Sequence, residues 1–326
     1  MKEISIENLL LAKTDIITHI KSSNKIYHIA FGADNNYLTY LRVLLFSILK
    51  NNSNINIHFH IFTEDMPYDE IIFLQQLKYS NFNTTFYKIN TEYFSHFKIN
   101  KNIAHINQAT YYRAVMPLVL QEQFLYLDID TLCTGSLEPL LEIQLNTNLL
   151  AASPDLANLN YIQSLYPFGF PKWAIYFNAG VLLINVKKWN KNQLTEKFIQ
   201  LINQQNFTYM DQDILNILAN GDVYFISNKF NWTDWLGDKQ NKFLFMTNNV
   251  SIIHYTGEIK PWHQAGESKI YSQYYKELFG QVPHLLEPKT TNAYRKSSKL
   301  LWKKKPIKAC YYQLKYIYNK LLNNSA

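Results

Sequence analysis

Two carboxylates one residue apart, Asp128 and Asp130, close the run Phe124-Leu-Tyr-Leu-Asp128-Ile-Asp130-Thr131. The apolar residues predict a fully buried strand, and the carboxylates come where it stops. In an α/β sheet the exit of a strand is where ligands collect. Alternation along a strand would turn both side chains to one face. Two such anions repel and raise each other's pKa, whereas a hard divalent cation between them removes that cost and leaves positions for phosphate oxygens. The spacing points to a metal–diphosphate site, with two solvated carboxylates as the plain alternative.

Other chemistry-bearing residues also stand at predicted strand exits. His254 ends an apolar stretch and offers an imidazole nitrogen to a cation held by two acids. In the loop after it, Gly257 permits close backbone approach and Lys260 can neutralise a phosphate. Asp211-Gln212-Asp213 opens a helix, where capping accounts for one carboxylate. Asn178-Ala179-Gly180 begins a buried strand, and its small residues suit either a ligand lying on the backbone or tight packing under a helix. His58 and His60 share a strand face and, lacking nearby carboxylates, read as surface histidines. A competing chemistry is phosphoryl transfer to Asp128, since phosphatases of the haloacid dehalogenase type begin Asp-x-Asp-x-Thr. Here Thr131 follows the second acid directly and Leu132 holds the threonine position.

These residues need a scaffold. Ile26 to Phe31 predicts a first strand, ending at Gly32 to Asn36, and Tyr37 to Leu49 a helix. Strands are expected at Ile55 to Ile61, Thr84 to Ile89, Leu149 to Ser153, Ala179 to Asn185, Val223 to Ile226 and Val250 to His254. Helices are expected at Pro67 to Tyr79, Gln108 to Leu120, Lys187 to Gln204 and Asp211 to Leu218. Strands alternating with helices predict an α/β fold with a single, mostly parallel sheet covered on both faces. Residues 1–24 read as a polar lead-in, 25–265 as the catalytic domain and 266–326 as a basic, aromatic-rich helical extension.

Composition narrows the function. No apolar run approaches the roughly 20 residues of a membrane-spanning helix, and MKEISIENLLLAKTD is not a secretory signal. The 2 cysteines give no disulfide framework, which suits a reducing cytoplasm. The 9 glycines form neither a G-x-G-x-x-G nor a Walker loop, so dinucleotide-binding oxidoreductases and P-loop kinases lack their phosphate cradle. The net charge is +7, yet Pro288 to Ala326 carries 10 Lys or Arg and no acid, leaving 22 basic and 25 acidic side chains elsewhere. A nucleic-acid enzyme would spread basic charge along its binding face. A basic tail beside Leu300, Leu301, Trp302, Tyr311, Tyr312, Leu314, Tyr316 and Ile317 fits a membrane-surface segment, or a solvated helix packed by its aromatic side.

The ordered segments FGADNNY, ATYYRA, YLDIDTL, YFNAGVLLINVKKW, DQDILN and HYTGEIKPWH resemble the family 8 glycosyltransferases. Within them the likeness is greatest to the bacterial lipopolysaccharide core α-galactosyl- and α-glucosyltransferases, over about residues 25–265. The resemblance implies the nucleotide-sugar transferase (GT-A) fold, a UDP-hexose donor, Mn²⁺ or Mg²⁺, retention of anomeric configuration and a lipopolysaccharide core acceptor. It implies a place on the cytoplasmic face of the bacterial inner membrane, with the basic tail against anionic lipid. By position, Asp34, Asn36 and Tyr37 would hold the nucleoside, and Asp128, Asp130 and His254 the metal. Gly257 and Lys260 would hold the diphosphate. Arg113, Asn178, Ala179, Gly180, Asp211 and Gln212 would surround the donor sugar, with His105 close by, and Asp155 and Thr256 would face the acceptor. A catalytically weak UDP-sugar-binding or adaptor protein on the same fold is the alternative.

Overall fold

The computed structural model describes residues 5–20, 25–66, 68–95, 97, 108–155, 159–204, 207–233 and 250–323. Ten strands are present among them: β1 Leu10–Thr18, β2 Ile26–Ala33, β3 Asn56–Thr63, β4 Phe82–Ile89, β5 Phe124–Leu127, β6 Thr131–Cys133, β7 Leu150–Ala152, β8 Val181–Ile184, β9 Val223–Phe225 and β10 Ile252–His254. Eight form one sheet in the order β1-β4-β3-β2-β5-β8-β7-β9, and β6 pairs with β10 in a two-stranded ladder. The run β4-β3-β2-β5 is parallel, β1 and β8 run against it, and β7 and β9 run with it. The sheet is therefore mixed and mostly parallel, with helices on both faces.

Strand alternation explains the two layers. Ile29, Phe31, Ile57, Phe59, Leu125 and Leu127 bury one face against Leu41, Leu44, Leu45 and Ile48 of helix Leu38–Asn51. Ala30, Phe62, Tyr87, Phe124 and Tyr126 share the opposite core with helices Tyr112–Val119, Leu194–Gln204 and Asp211–Ala219. Between β2 and β5 the strand order reverses direction, the kind of switch point at whose strand exits α/β sheets bind ligands. Gly32 lets β2 run on through its expected end, because a Cβ there would lie 2.9 Å from the Ala109 carbonyl oxygen.

Several expectations change. A strand lies inside the expected lead-in: β1 pairs antiparallel with β4 from Leu10↔Ile89 to Thr18↔Asn83. As an edge strand with one wet face it carries Lys13, Thr14 and Asp15, which masks its alternation. Asp128 and Asp130 do not alternate along a strand either. They sit in the turn between β5 and β6, closed by the Thr131 hydroxyl donating to the Asp128 carbonyl at 2.7 Å. The helix expected over Lys187 to Gln204 is two helices, Val186–Lys191 and Leu194–Gln204, broken where Gln193 takes a φ of 52°. Tertiary bonds fix that break: the buried Thr195 hydroxyl accepts from Trp189 Nε1 at 3.0 Å and donates to the Ala114 carbonyl at 2.7 Å. His58 and His60 are not surface residues, since His60 is 4% exposed and His58 half-buried.

The chain divides into two compact units, Met1–Trp232 with Met246–Ile253, and Thr233–Phe245 with His254–Ala326. The division falls inside β10, so His254 is the closing residue of a strand whose Ile252 and Ile253 belong to the first unit. In the second unit, helices Lys269–Phe279, Thr291–Leu301 and Pro306–Asn323 follow the His254 loop. Leu301, Ala309 and Tyr312 form its small core with Ala265 and Tyr294, and Tyr312 donates to Gln264 Oε1 at 2.7 Å. No described helix is long and apolar enough to cross a membrane.

Candidate active site

The exits of the central strands gather the chemistry. At the end of β2, Asp34 Oδ1 accepts from the backbone N–H groups of Asn36 and Tyr37 at 2.8 and 3.0 Å, forming an Asx turn that starts the next helix. Burial raises the Asp34 pKa, and those two N–H groups oppose the rise. Burial likewise raises the Tyr37 hydroxyl, with the charges of Asp130 and then Asp34 adding to it. Tyr37 thus lies within electrostatic reach of both the Asx turn and the Asp128–Asp130 turn.

Arg113 is the hub of that second turn. Only 4% exposed, it donates Nη2 to Asp128 Oδ1 at 2.7 Å and Nη1 to the Ala179 carbonyl at 2.6 Å, and pairs Nη1 with Asp211 Oδ2 at 3.2 Å. Its guanidinium centre stands 4.3 Å over the Tyr126 ring, and the Tyr126 hydroxyl donates to the same Asp128 oxygen at 2.7 Å. Burial opposes the Arg113 charge, but Asp128 and Asp211 outweigh it and raise its pKa. Burial lifts Asp211 to about 6 against the pull of Arg113. Thr110, three residues before Arg113, donates to Asp211 Oδ1 at 2.8 Å. Asp211 is thus a member of a buried ion cluster and not a helix cap.

A second network adjoins the first through Ala179. Its N–H donates to Gln212 Oε1 at 3.0 Å, and Gln212 Nε2 donates to Asp155 Oδ2 at 3.1 Å and to the Tyr176 hydroxyl at 3.2 Å. Asn178 donates to Asp155 Oδ2 at 3.3 Å and accepts from the Gly180 N–H at 3.0 Å. Gly180 in turn accepts from the Asp128 N–H at 2.8 Å, which ties the start of β8 to the Asp128 turn. Asp213 is no N-cap: it takes the Tyr176 hydroxyl at 2.6 Å, the Tyr209 N–H at 2.8 Å and the Tyr161 hydroxyl. Tyr176 therefore links Asp213 to the Gln212 amide and holds its plane. Sequence reasoning missed Tyr161, Tyr176 and Thr110; only Thr110, one turn before Arg113, left a readable spacing. It also missed Glu64, just past β3, whose pKa is raised by burial and then by the Asp34 charge.

At the end of β10, His254 is buried. Asp128, Asp130 and His254 each offer a ligand atom, and these atoms all lie within 4.8 Å of one another. Two carboxylates and an imidazole make a donor set of the hard-to-borderline kind that suits Mn²⁺ or Mg²⁺. Arg113 and Tyr126 hold one Asp128 oxygen, which orients the carboxylate. Within the second unit, Gly257 has a φ of 83° with open space where a Cβ would stand. Buried Lys260 donates Nζ to the Tyr255 carbonyl at 3.0 Å. Burial, and then the Lys260 charge, lower His263 to about 4. His105 lies outside the described residues.

Comparison with known proteins adds independent findings. The profile of glycosyl transferase family 8 matches residues 28–266. The chain is 31% identical to the lipopolysaccharide glucosyltransferase WaaO of Escherichia coli K12 over 308 residues, covering 87% of this chain and 88% of that protein. It is 29% identical to the lipopolysaccharide 1,3-galactosyltransferase of Salmonella typhimurium LT2, covering 91% and 92%. Among solved structures it resembles the galactosyltransferase LgtC in complex with donor and acceptor sugar analogues, with a TM-score of 0.64, 31% identity, and coverage of 78% of this chain and 96% of that one. An active-site Gln-to-Glu mutant of LgtC matches with a TM-score of 0.67 and the same identity and coverage.

Proposed function

This chain belongs to glycosyl transferase family 8, and on that premise we propose that it transfers galactose or glucose from a UDP-sugar, with retention, to a lipopolysaccharide or lipooligosaccharide core acceptor. The observation that carries the reading is the convergence of Asp128, Asp130 and His254 beside the Arg113 cluster. These three would hold a divalent cation. When bound, that ion supplies charge stabilisation to a departing diphosphate. Asp34, Asn36 and Tyr37 would receive the nucleoside, with the Tyr37 ring as a stacking surface. Gly257 and Lys260 would receive the diphosphate, the glycine by leaving room and the lysine by its charge.

The reaction breaks a sugar–diphosphate bond while positive charge grows on the ring. Retention needs attack on the face that the diphosphate leaves. Two enzyme groups are candidate nucleophiles, and both are committed elsewhere. Gln212 is neutral, with its amide oxygen held by the Ala179 N–H and its nitrogen by Asp155 and Tyr176. Asp211 is buried in an ion pair with Arg113 and a hydrogen bond from Thr110. This favours entry of the acceptor hydroxyl on the leaving-group face, with Gln212 and Asn178 fixing the sugar. LgtC also has a glutamine in its active site. Mass spectrometry after a slow donor analogue should find no glycosylated Asp211 or Gln212; an adduct on either would replace this mechanism by double displacement.

The last helix supports work at a lipid surface. Ile307, Tyr311, Leu314, Tyr318 and Leu321, spaced to form one stripe of helix Pro306–Asn323, are exposed, Ile307 to 88%. Lysines flank the stripe and the tail has no acid. That pattern suits peripheral contact with an anionic membrane, for these substrates the cytoplasmic face of the inner membrane. Incubation with a panel of UDP-sugars and Mn²⁺ tests the enzymatic reading. Release of UDP from UDP-galactose or UDP-glucose is expected, and no turnover of any UDP-sugar would sink it.

A further inference from the structure

A second group of ligand-capable side chains lies away from the strand exits. His28 on β2 stands directly across from His58 on β3, and His60 is two residues further along the same face. One ligand atom from each of the three falls within 4.8 Å of the others. Beyond Thr85 and the Tyr87 hydroxyl this sheet face carries an apolar core, so three imidazoles together need an account. His28 is about 20 Å along β2 from Asp34, at the rise of an extended chain, which separates this group from the Asp128 site.

The hydrogen bonds around the cluster set the ring tautomers. Thr85 on β4 donates its hydroxyl hydrogen to Asp15 on β1 at 2.5 Å. Its oxygen can then only accept from His58 Nε2, 2.7 Å away, so that nitrogen carries the hydrogen and Nδ1 keeps a lone pair. His60 Nδ1 is 3.0 Å from the Tyr87 hydroxyl, while its Nε2 faces His28 Nδ1 at 2.9 Å. His60 is buried and His28 and His58 are half-buried. Neutral imidazoles oriented through their far nitrogens by a hydroxyl or a carboxylate relay are what metal-ligating histidines require.

We infer that His28, His58 and His60 form a second metal site, of the three-histidine kind that takes Zn²⁺ or a similar borderline transition metal. Three nitrogen donors without a carboxylate select against Mg²⁺ and Mn²⁺ and leave one position for water. Loading needs no net proton release: the hydrogen shared between His28 Nδ1 and His60 Nε2 is exchanged for one on His28 Nε2, freeing both facing lone pairs. The ion would clip β2 to β3. This inference stands apart from the proposed sugar transfer.

Co²⁺, a coloured stand-in for Zn²⁺, tests it on the full-length protein carrying Asp130→Ala, which disables the first site. One equivalent of Co²⁺ with a tetrahedral d–d spectrum is expected. His28→Gln or His58→Gln should weaken it by at least about 10-fold, the lower end of what perturbing a metal site costs. Exposed His284→Gln should leave it unchanged. Zn²⁺ should raise the melting temperature of the His284→Gln protein and not that of His28→Gln. The absence of a tetrahedral spectrum, or equal affinity in all of these proteins, would overturn the site. Two separate histidine variants and the unsubstituted cluster keep the test readable should one variant fail to fold.

Discussion

The strand-exit region around Asp128 and the last helix of the second unit have opposite economies of surface. Around Asp128, Arg113, Asp155, Asn178, Asp211, Gln212 and Asp213 each hold a named polar partner. Helix Pro306–Asn323 leaves Ile307, Leu314, Tyr318 and Leu321 in solvent. The comparison separates two uses of side chains. Saturated hydrogen bonding fixes geometry, so a substrate meets groups that need no reorganisation. Uncovered apolar area beside lysines stores attraction for a surface.

Substitutions that break one region and spare the other sharpen the contrast. Asp130→Ala should lower UDP-hexose turnover by at least about 10³-fold, measured by UDP release, while vesicle binding stays intact. Arg113→Leu strands buried Asp211 and half-buried Asp128 without their cation and should cost about 3–5 kcal/mol of unfolding free energy in a denaturant titration. Tyr176→Phe removes the hydroxyl that braces Gln212 and donates to buried Asp213, so kcat should fall about 10-fold and unfolding free energy by about 1–3 kcal/mol. Ile307→Ser, Leu314→Ser and Leu321→Ser together should weaken binding to anionic vesicles by about 10-fold or more and leave UDP release unchanged. Loss of turnover in that triple variant would erase the division of labour.

The smallest effect concerns pH. Asp211 is raised to about 6 in the folded chain from an ordinary value near 4. Between those values the folded state binds more protons than the unfolded one, so this residue makes stability fall as pH rises through the window. Its slope is at most about 1.4 kcal/mol per pH unit. Asp211→Asn should flatten that slope in unfolding curves measured across pH 4 to 6.

Much of this was legible in the residues. The apolar run before Asp128 marks a central strand of the sheet, and three of the polar residues expected at strand exits, Asp128, Asp130 and His254, bring ligand atoms within 4.8 Å of one another. Strand β1 was hidden because an edge strand tolerates Lys13 and Asp15, which blur its period. The break at Gln193 carries no glycine or proline, since buried Thr195 enforces it from outside the local sequence. His58 and His60 were misjudged for the same reason: burial on a shared sheet face is decided by neighbours on β2 and β4. Tyr161 and Tyr176 reach Asp213 from 52 and 37 residues away, a juxtaposition only the fold supplies.

Manganese binding measured by electron paramagnetic resonance, with UDP present, bears most directly on the claim that Asp128, Asp130 and His254 act as one ligand set. The unsubstituted protein should take up one Mn²⁺ per UDP, and Asp130→Ala and His254→Ala should each abolish that uptake. Undiminished Mn²⁺ binding in both variants, or full UDP release in the presence of a chelator, would contradict it.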